Sequence, residues 1–184
     1  SDICINLIGI LFEKGKVNTF KKIHTDLPDM LSKICSEKNK GFIHLSALGI
    51  ENATNSLYAR SKLEGEIKIK ENHPKAVIIK PSIVFSVSDS LTTKFMSLLN
   101  ILPIFPLYYK GDTKFMPIHA SEVADLLYYI IDKGIKSKSI EAVGPEVLTF
   151  KKILQVLLNC INKNKLLLSI PLPVSYTHLR AHET

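Results

Sequence analysis

A tyrosine and a lysine four residues apart are the side chains of this sequence best suited to chemistry. Tyr58 and Lys62 stand in the run Tyr-Ala-Arg-Ser-Lys, and residues four apart on a helix share one face. A phenol has a pKa of about 10, and a neighbouring cation lowers the cost of ionising it. The spacing therefore predicts that Tyr58 serves as a general acid or base for hydride-transfer chemistry, with its pKa lowered by the lysine.

The spacing alone is weak evidence, because lysine is abundant in this chain and Tyr129 and Lys133 repeat it. Tyr129 lies beside the apolar stripe of a predicted helix, and no serine at a strand end precedes it at a matching interval. We interpret this second pair as structural. Ser46, by contrast, precedes the first pair and directly follows the apolar run Phe42 to Leu45. At the carboxyl end of a parallel strand, its hydroxyl would face the ligand crevice of an open α/β sheet.

Short apolar runs alternate along the chain with segments of helical periodicity, which is typical of parallel β-α-β units. We predict buried strands over residues 3–8, 42–45 and 76–79, adjacent in one parallel sheet. Pro81 is expected to stop the third strand, since proline cannot donate to the ladder.

Helical periodicity predicts helices over residues 19–37, 56–71, 121–133 and 149–162. The last two begin at plausible caps, Ser121 and Thr149. In the first helix, one apolar stripe is expected to be buried, consisting of Ile23, Leu27, Met30, Leu31 and Ile34.

The middle of the chain is apolar from Phe95 to Tyr109 but is interrupted by Asn100, Pro103 and Pro106. It is too short and too broken for a transmembrane segment, and we predict that it belongs to a core. An exposed patch facing a partner, a substrate or a membrane surface is the alternative.

The formal charge of +7 raises the possibility of a nucleic-acid partner. The basic residues are almost all lysines spread along the chain, with arginine only at Arg60 and Arg180. Recognition of bases and phosphates favours the planar arginine fork, and aromatic residues are not interleaved with the lysines. We therefore expect no nucleic-acid partner and interpret the lysines as a solvated surface.

The cysteines Cys4, Cys35 and Cys160 are odd in number and form no CxxC pair, which favours free thiols in a reducing compartment. We therefore expect a cytoplasmic location. The sequence opens on an apolar run without a starting methionine or a signal peptide. We interpret it as a fragment that begins within a domain.

The last ten residues, 175–184, are polar and rich in histidine, unlike the rest of the chain, and we interpret them as a non-native tail. His178 and His182 have a spacing that could bind a metal on a helix, but no third ligand accompanies them. No metal site is predicted.

The order strand, Ser46, Tyr58-x-x-x-Lys62, helix, strand is similar to extended and atypical short-chain dehydrogenases over residues 2–173. Within that superfamily, several segments look most like the nucleotide-binding accessory subunit of respiratory complex I and its bacterial relatives. These segments are Asn6–Phe12, Ser46–Gly49, Tyr58–Glu66, Pro81–Phe85, Thr113–Phe115 and Gly144–Phe150.

This resemblance implies an α/β fold, the C-terminal part of a Rossmann-type doubly wound parallel sheet with a small C-terminal α/β substrate lobe. Residues 1–86 would form the second half of the nucleotide-binding domain and residues 87–174 the lobe, with returning sheet elements. The glycine-rich turn that holds the pyrophosphate, with three strands and their helices, would precede Ser1. The chain by itself is then expected to be inactive.

The resemblance also implies a role for each site residue, with NAD or NADP as the cofactor. Ser46 would orient a substrate carbonyl, Tyr58 would donate the proton, and Lys62 would bind the nicotinamide ribose. Asn6 and Gly9 would line the cofactor, although an ordinary strand-end turn explains them equally well.

Three further residues, Pro81, Ile83 and Val84, would offer backbone contacts to the carboxamide. Relatives usually follow the Val-Phe pair with glycine, whereas this chain has Ser86, which puts close approach of the backbone in doubt there.

Two functions from different classes remain open. One is a non-turnover nucleotide-binding subunit docked on other respiratory-complex subunits, at the periphery of the inner membrane and on the matrix side in a eukaryote. The other is an active NAD(P)-dependent epimerase, dehydratase or reductase acting on a sugar nucleotide or a lipid-like alcohol. A protein-interaction module without nucleotide is a third hypothesis, supported only by the apolar stretch.

Overall fold

A computed structural model of the chain describes residues 2–87 and 89–170. Within them the strands are β1 Ile3–Asn6, β2 Gly41–Leu45, β3 Val77–Pro81, β4 Val84–Phe85, β5 Ile104–Leu107, β6 Lys114–Phe115, β7 Ile118–His119, β8 Ser139–Ala142, β9 Leu148–Thr149 and β10 Leu166–Ser169. The α-helices are α1 Leu27–Glu37, α2 Leu57–Asn72, α3 Ser90–Ile101, α4 Ala120–Asp132 and α5 Phe150–Cys160.

The described residues form two compact units. The first contains the residues up to Ser82 together with Glu122–Val143, and the second contains Ile83–Ser121 and the residues from Gly144 onward.

The first unit is built on a four-stranded parallel sheet in the order β1-β2-β3-β8. The prediction of three adjacent parallel strands is confirmed. The first strand ends at Asn6 rather than Ile8, because the Ile8 amide donates to the Asn6 side-chain oxygen at 3.1 Å.

Pro81 ends the third strand, as predicted, and is itself part of it. It pairs with Ala142 of β8 as the last residue of β3, and its carbonyl accepts a hydrogen bond from the Leu48 amide at 2.9 Å. Proline is tolerated at this strand end because its carbonyl, and not an amide hydrogen, makes the bond.

Helix α1 buries only part of the predicted stripe, of which Leu31 packs against the core of the unit. Its buried residues are Pro28, Ser32 and Cys35, whereas Met30 and Ile34 are exposed. The preceding π-helical turn, Lys21–Asp26, buries His24 and Thr25.

The turn before α1 packs closely against α2. A Cβ atom added at Gly65 of α2 would lie 2.0 Å from the carbonyl oxygen of His24. Backbones this close leave no room for a side chain at position 65. The apolar core of the unit forms instead around Cys35, Phe42, Ile69, Ala76 and Ile78.

The second unit contains three two-stranded pairings: β5 with β10 and β4 with β7, both parallel, and β6 with β9, antiparallel. Its core contains Leu99, Phe105, Leu107, Leu154 and Leu158. Three of these belong to the apolar stretch of residues 95–109, so the prediction that this stretch belongs to a core is confirmed.

One of the two predicted helix caps is confirmed. The Thr149 hydroxyl accepts a hydrogen bond from the Lys152 amide at 3.1 Å and caps α5. Helix α4 begins at Ala120, one residue before the predicted cap, and the Ser121 hydroxyl lies 2.7 Å from Nδ1 of His119.

The length and hydropathy of the helices bear on membrane insertion. Over residues 2–87 and 89–170, no helix is both long and apolar enough to cross a bilayer.

Candidate functional site

Ser46 directly follows β2, where the parallel sheet of the first unit presents its carboxyl ends. Its amide donates to the Ile79 carbonyl at 2.7 Å, which continues the pairing of β2 with β3. The side chain is 5% exposed. Its hydroxyl has no hydrogen-bond partner among the described residues. A buried hydroxyl without a partner is costly, so this position suits a ligand that supplies one.

Helix α2 carries Tyr58 and Lys62 on one face, as predicted. Ser56 caps the helix by accepting a hydrogen bond from the Ala59 amide. The ammonium of Lys62 lies 5.7 Å from the centroid of the Tyr58 ring and donates to the Leu45 carbonyl at 3.5 Å. The lysine thus connects the helix to the residue that precedes Ser46.

Burial controls the protonation of both side chains. It lowers the pKa of Lys62 to about 8, although the nearby Glu66 carboxylate acts in the opposite direction. It raises the pKa of Tyr58. The prediction of a lowered Tyr58 pKa is therefore wrong, because the ammonium lies over the ring and desolvation of the phenolate dominates.

Asn6 and Gly9 have different surroundings. The Asn6 side chain is 2% exposed, and its Nδ2 donates to Nδ1 of His44 at 3.0 Å. This amide therefore ties β1 to β2, as an ordinary strand-end residue would. At Gly9, an added Cβ would lie 3.6 Å from the Lys62 ammonium, so the Gly9 backbone lies beside the lysine.

The three residues expected to contact a carboxamide fall in different units. Pro81 ends β3 in the first unit, whereas Ile83 and Val84 belong to the second. The Ile83 carbonyl accepts a hydrogen bond from the Ile118 amide at 2.9 Å, and Val84 pairs with Ile118.

His24 is a site residue that the sequence did not reveal. Its Nε2 accepts a hydrogen bond from the Ile10 amide at 3.1 Å, and its Nδ1 lies 3.0 Å from the Ser61 hydroxyl. Its ring meets the Tyr58 ring edge to face, with centroids 5.2 Å apart. Burial, together with the Lys62 charge, lowers the His24 pKa to about 4. No spacing in the sequence points to these contacts.

A second group of buried polar side chains lies on β2, α2 and β3. It consists of His44, Glu66 and Lys80. The pKa of His44 is lowered to about 3, chiefly by burial. Glu66 follows Lys62 by four residues, and its Oε2 lies 3.1 Å from the Lys80 ammonium, which also pairs with Glu51. The sequence could have identified Glu66 as a residue of this group, because it continues the four-residue spacing of Tyr58 and Lys62. Nε2 of His44 and Oε1 of Glu66 have no partner in the described part of the chain.

The surroundings of Tyr129 and Lys133 differ from those of Tyr58 and Lys62. Tyr129 is 53% exposed, and the Lys133 ammonium lies 2.9 Å from a carboxylate oxygen of Asp132. These contacts support the structural interpretation of the pair.

Metal-ligating side chains form no cluster of three or more within residues 2–87 and 89–170. His178 and His182 lie outside the described residues, as does the whole of 175–184.

Comparison with known proteins supports the resemblance predicted from the site motifs. No family model matches the chain. It is 30% identical over 149 residues to the mitochondrial NADH dehydrogenase [ubiquinone] 1 alpha subcomplex subunit 9 of Mus musculus, covering 78% of this chain and 37% of that protein. The Arabidopsis thaliana subunit of the same name is 23% identical over 179 residues, covering 95% and 44%. These subunits are homologues of this chain. The chain spans less than half the length of each.

Several solved structures have the same fold as this chain. A dTDP-4-dehydrorhamnose reductase of Clostridium acetobutylicum aligns with a TM-score of 0.76 and 13% identity, covering 92% of this chain and 65% of that one. The dTDP-glucose 4,6-dehydratase DesIV of Streptomyces venezuelae, solved with NAD and TYD, aligns with a TM-score of 0.77 and 14% identity, covering 92% and 61%. The α/β fold with a Rossmann-type parallel sheet is therefore confirmed.

Proposed function

We propose that the protein containing this chain binds a nicotinamide nucleotide, NAD or NADP, as a relative of the complex I accessory subunits. The observation that carries the proposal is the position of Lys62. This lysine is 5% exposed, and its pKa is lowered to about 8 by burial. It forms no ion pair with a carboxylate among the described residues, whereas its neighbour Lys80 forms two.

A buried lysine without an ion pair costs stability, and such residues concentrate at functional sites. The Lys62 ammonium lies beside the Gly9 backbone and the Leu45 carbonyl, at the end of the sheet where open α/β folds bind their ligands. A ribose hydroxyl placed there would accept the hydrogen bonds that the ammonium has to offer. Asn6 and Gly9 would flank the cofactor, and Pro81 would contact its carboxamide.

The names of the comparison proteins support the same ligand class. Several homologues are named as subunits of an NADH dehydrogenase, and solved structures of the same fold contain NAD or NADP. In the complete protein, the pyrophosphate would be held by a glycine-rich turn at a helix N-terminus.

An accessory subunit is favoured over an enzyme by the homologues, which are named as subunits of an NADH dehydrogenase. The enzyme alternative, an epimerase, dehydratase or reductase, is supported by Ser46, Tyr58 and Lys62 together and by the sugar-nucleotide enzymes of the same fold. In that case Ser46 would orient the substrate carbonyl and Tyr58 would donate the proton.

The proposed partners are other subunits of a respiratory complex, with the protein peripheral to the inner membrane. In a eukaryote we expect it on the matrix side, and the homologues are named as mitochondrial proteins. Blue-native electrophoresis of solubilised membranes tests the association. Migration of the protein with the respiratory complex supports it, and migration as a free species in the cytoplasmic fraction contradicts it.

Fluorescence titration of NADH and NADPH tests nucleotide binding, in the protein that includes the region upstream of this chain. Lys62→Met should weaken binding by about tenfold or more, because the buried ammonium loses its hydrogen bonds to the ribose. Lys68→Met on the same helix is the matched control, since Lys68 pairs with Glu71 at the surface. Equal affinities of the two variants, or no binding by the unchanged protein, would contradict the proposal.

A further inference from the structure

His24 is held rigidly by the packing around it. The residue is 1% exposed. Its ring stacks on the Phe20 ring with centroids 5.4 Å apart, and it meets the Tyr58 ring edge to face at 5.2 Å. Its backbone carbonyl packs against Gly65 of α2. Because both the ring and the backbone are packed, the imidazole has a fixed position and orientation.

The hydrogen bonds of this ring determine which nitrogen carries the proton. Nε2 lies 3.1 Å from the Ile10 amide, and since an amide N–H only donates, Nε2 is the acceptor. In the neutral imidazole the proton is then on Nδ1, which donates to the Ser61 hydroxyl at 3.0 Å. That hydroxyl donates in turn to the Tyr58 carbonyl at 2.8 Å. A continuous series of hydrogen bonds thus connects the Ile10 amide to α2.

The acceptor nitrogen of His24 holds a segment that burial of side chains does not fix. Four apolar side chains between residues 7 and 12 are more than half exposed, those of Leu7, Ile8, Leu11 and Phe12. Within this segment, a Cβ added at Gly9 would lie 3.6 Å from the Lys62 ammonium and 3.8 Å from Nε2 of His24. The bond from the next amide, that of Ile10, therefore sets how closely the Gly9 backbone approaches the ammonium.

We propose that His24 is a positioning residue of the nucleotide site, which holds the Gly9 backbone beside Lys62 through the amide of Ile10. The inference rests on the proposed nucleotide binding, in which Gly9 and Lys62 contact the cofactor. His24 acts through Gly9 rather than on the cofactor itself. Without the acceptor nitrogen, the Ile10 amide has to find its partner in water, and the segment moves away from the ammonium.

Two substitutions of similar size separate the acceptor from the packing. The side-chain oxygen of His24→Gln reaches the position of Nε2 and accepts from the Ile10 amide, whereas His24→Leu fills the space without an acceptor. NADH is titrated by fluorescence in the protein that includes the upstream region. Its affinity should fall by about tenfold in His24→Leu and by about threefold or less in His24→Gln. Equal affinities of the two variants would overturn the proposal, because a residue that only fills space gains nothing from glutamine.

Circular dichroism shows whether each variant is folded. If His24→Leu is not, His24→Asn replaces it, since the shorter amide still donates to Ser61 but does not reach the Ile10 amide. The affinity of His24→Asn should also fall by about tenfold. An affinity equal to that of His24→Gln would overturn the proposal.

His73 supplies the matched control, because it is a second buried histidine that binds a backbone group. It is 7% exposed, and its Nε2 donates to the Lys40 carbonyl at 2.8 Å, just after the last residue of α2. His73→Leu should lower the free energy of unfolding but leave the affinity for NADH unchanged. A loss of affinity equal to that in His24→Leu would assign the effect to general destabilisation and overturn the proposal.

Hydrogen exchange at the Ile10 amide separates this proposal from nucleotide binding. NMR without nucleotide should show exchange that is similar in the unchanged protein and His24→Gln, and faster by about tenfold or more in the variant that lacks an acceptor. Equal exchange in all three, with NADH binding intact, would overturn the role of His24 alone. No binding of NADH by the unchanged protein would overturn the nucleotide site and this proposal with it.

Discussion

The ammonium of Lys80 lies 3.1 Å from Oε2 of Glu66, whose side chain is 2% exposed. Burial lowers the pKa of Lys80, but hydrogen bonds to Glu51 and Glu66 outweigh it and raise the pKa above its ordinary value. The pair therefore joins β3 to α2 as a buried ion pair, four residues along the helix from Lys62.

Removal of the Lys80 cation should destabilise the chain strongly. Lys80→Met leaves the Glu66 carboxylate buried without a counter-ion, and the expected loss is about 3–5 kcal/mol in the free energy of unfolding. Urea unfolding at pH 7 measures it. The double variant Lys80→Met, Glu66→Leu should recover most of the loss. As a control, Lys68→Met breaks a surface pair and should cost about 1 kcal/mol or less. Similar losses for the two methionine variants would show that the buried pair is not stabilising.

Lys62 should make stability rise with pH in the alkaline range. Its pKa is about 8 in the folded chain against an ordinary value of 10.5, so the unfolded state binds the proton more tightly. The free energy of unfolding should therefore increase between about pH 8 and 10.5. Lys62→Met should remove this rise and stabilise the chain at pH 7 by up to about 3 kcal/mol. Urea unfolding from pH 7 to 10 tests it, and an unchanged slope in the variant would contradict it.

Acid should destabilise the chain through two buried histidines. The pKa values of His24 and His44 are lowered from 6.5 to about 4 and about 3, so protonation favours the unfolded state as the pH falls below about 6.5. The histidines cause no loss in the free energy of unfolding above that pH, and the loss grows toward pH 4. His24→Gln should reduce the decrease by on the order of 2 kcal/mol. Chemical unfolding at several pH values measures it; an equally steep decrease in the variant would rule out His24 as a cause.

Gly65→Ala should destabilise the chain even though alanine is the better helix former. In an open helix this change gains about 1 kcal/mol, but here the new Cβ would lie 2.0 Å from the His24 carbonyl oxygen. We expect a net loss of about 1–3 kcal/mol or more. Glu64→Ala at the exposed neighbouring position should change stability by about 0.5 kcal/mol or less. Thermal unfolding of both variants tests the close packing, which a stabilised Gly65→Ala would exclude.

Tyr58→Phe separates the accessory subunit from the enzyme in the protein with its upstream region present. The change keeps the ring contacts with Phe20 and His24, so folding and nucleotide affinity should be nearly unchanged. If Tyr58 donates a proton, turnover should fall by about 10²- to 10⁴-fold. We expect respiratory activity and assembly to survive. A large loss of activity with the nucleotide still bound would favour the enzyme.

Local pattern determined much of the fold and part of the candidate site. Alternation of apolar runs and helical segments predicted the parallel strands, because burial between helices leaves a strand with a continuous apolar run. The spacing of Tyr58 and Lys62 placed both on one helix face, since four residues make nearly one turn. The run from Phe42 to Leu45 located Ser46 at a strand end. Each of these is a property of residues near one another in the chain.

Only the tertiary structure decided which groups surround Tyr58 and Lys62 and how these groups ionise. His24 reaches Tyr58 and Ser61 across the packing of two segments, and the contact depends on the close approach at Gly65. The pKa of Tyr58 is raised rather than lowered, because its sign depends on the balance between burial and a charge at a particular distance. Apolar periodicity also predicted the buried face of α1 only in part, because it contains no information on how closely the next helix packs.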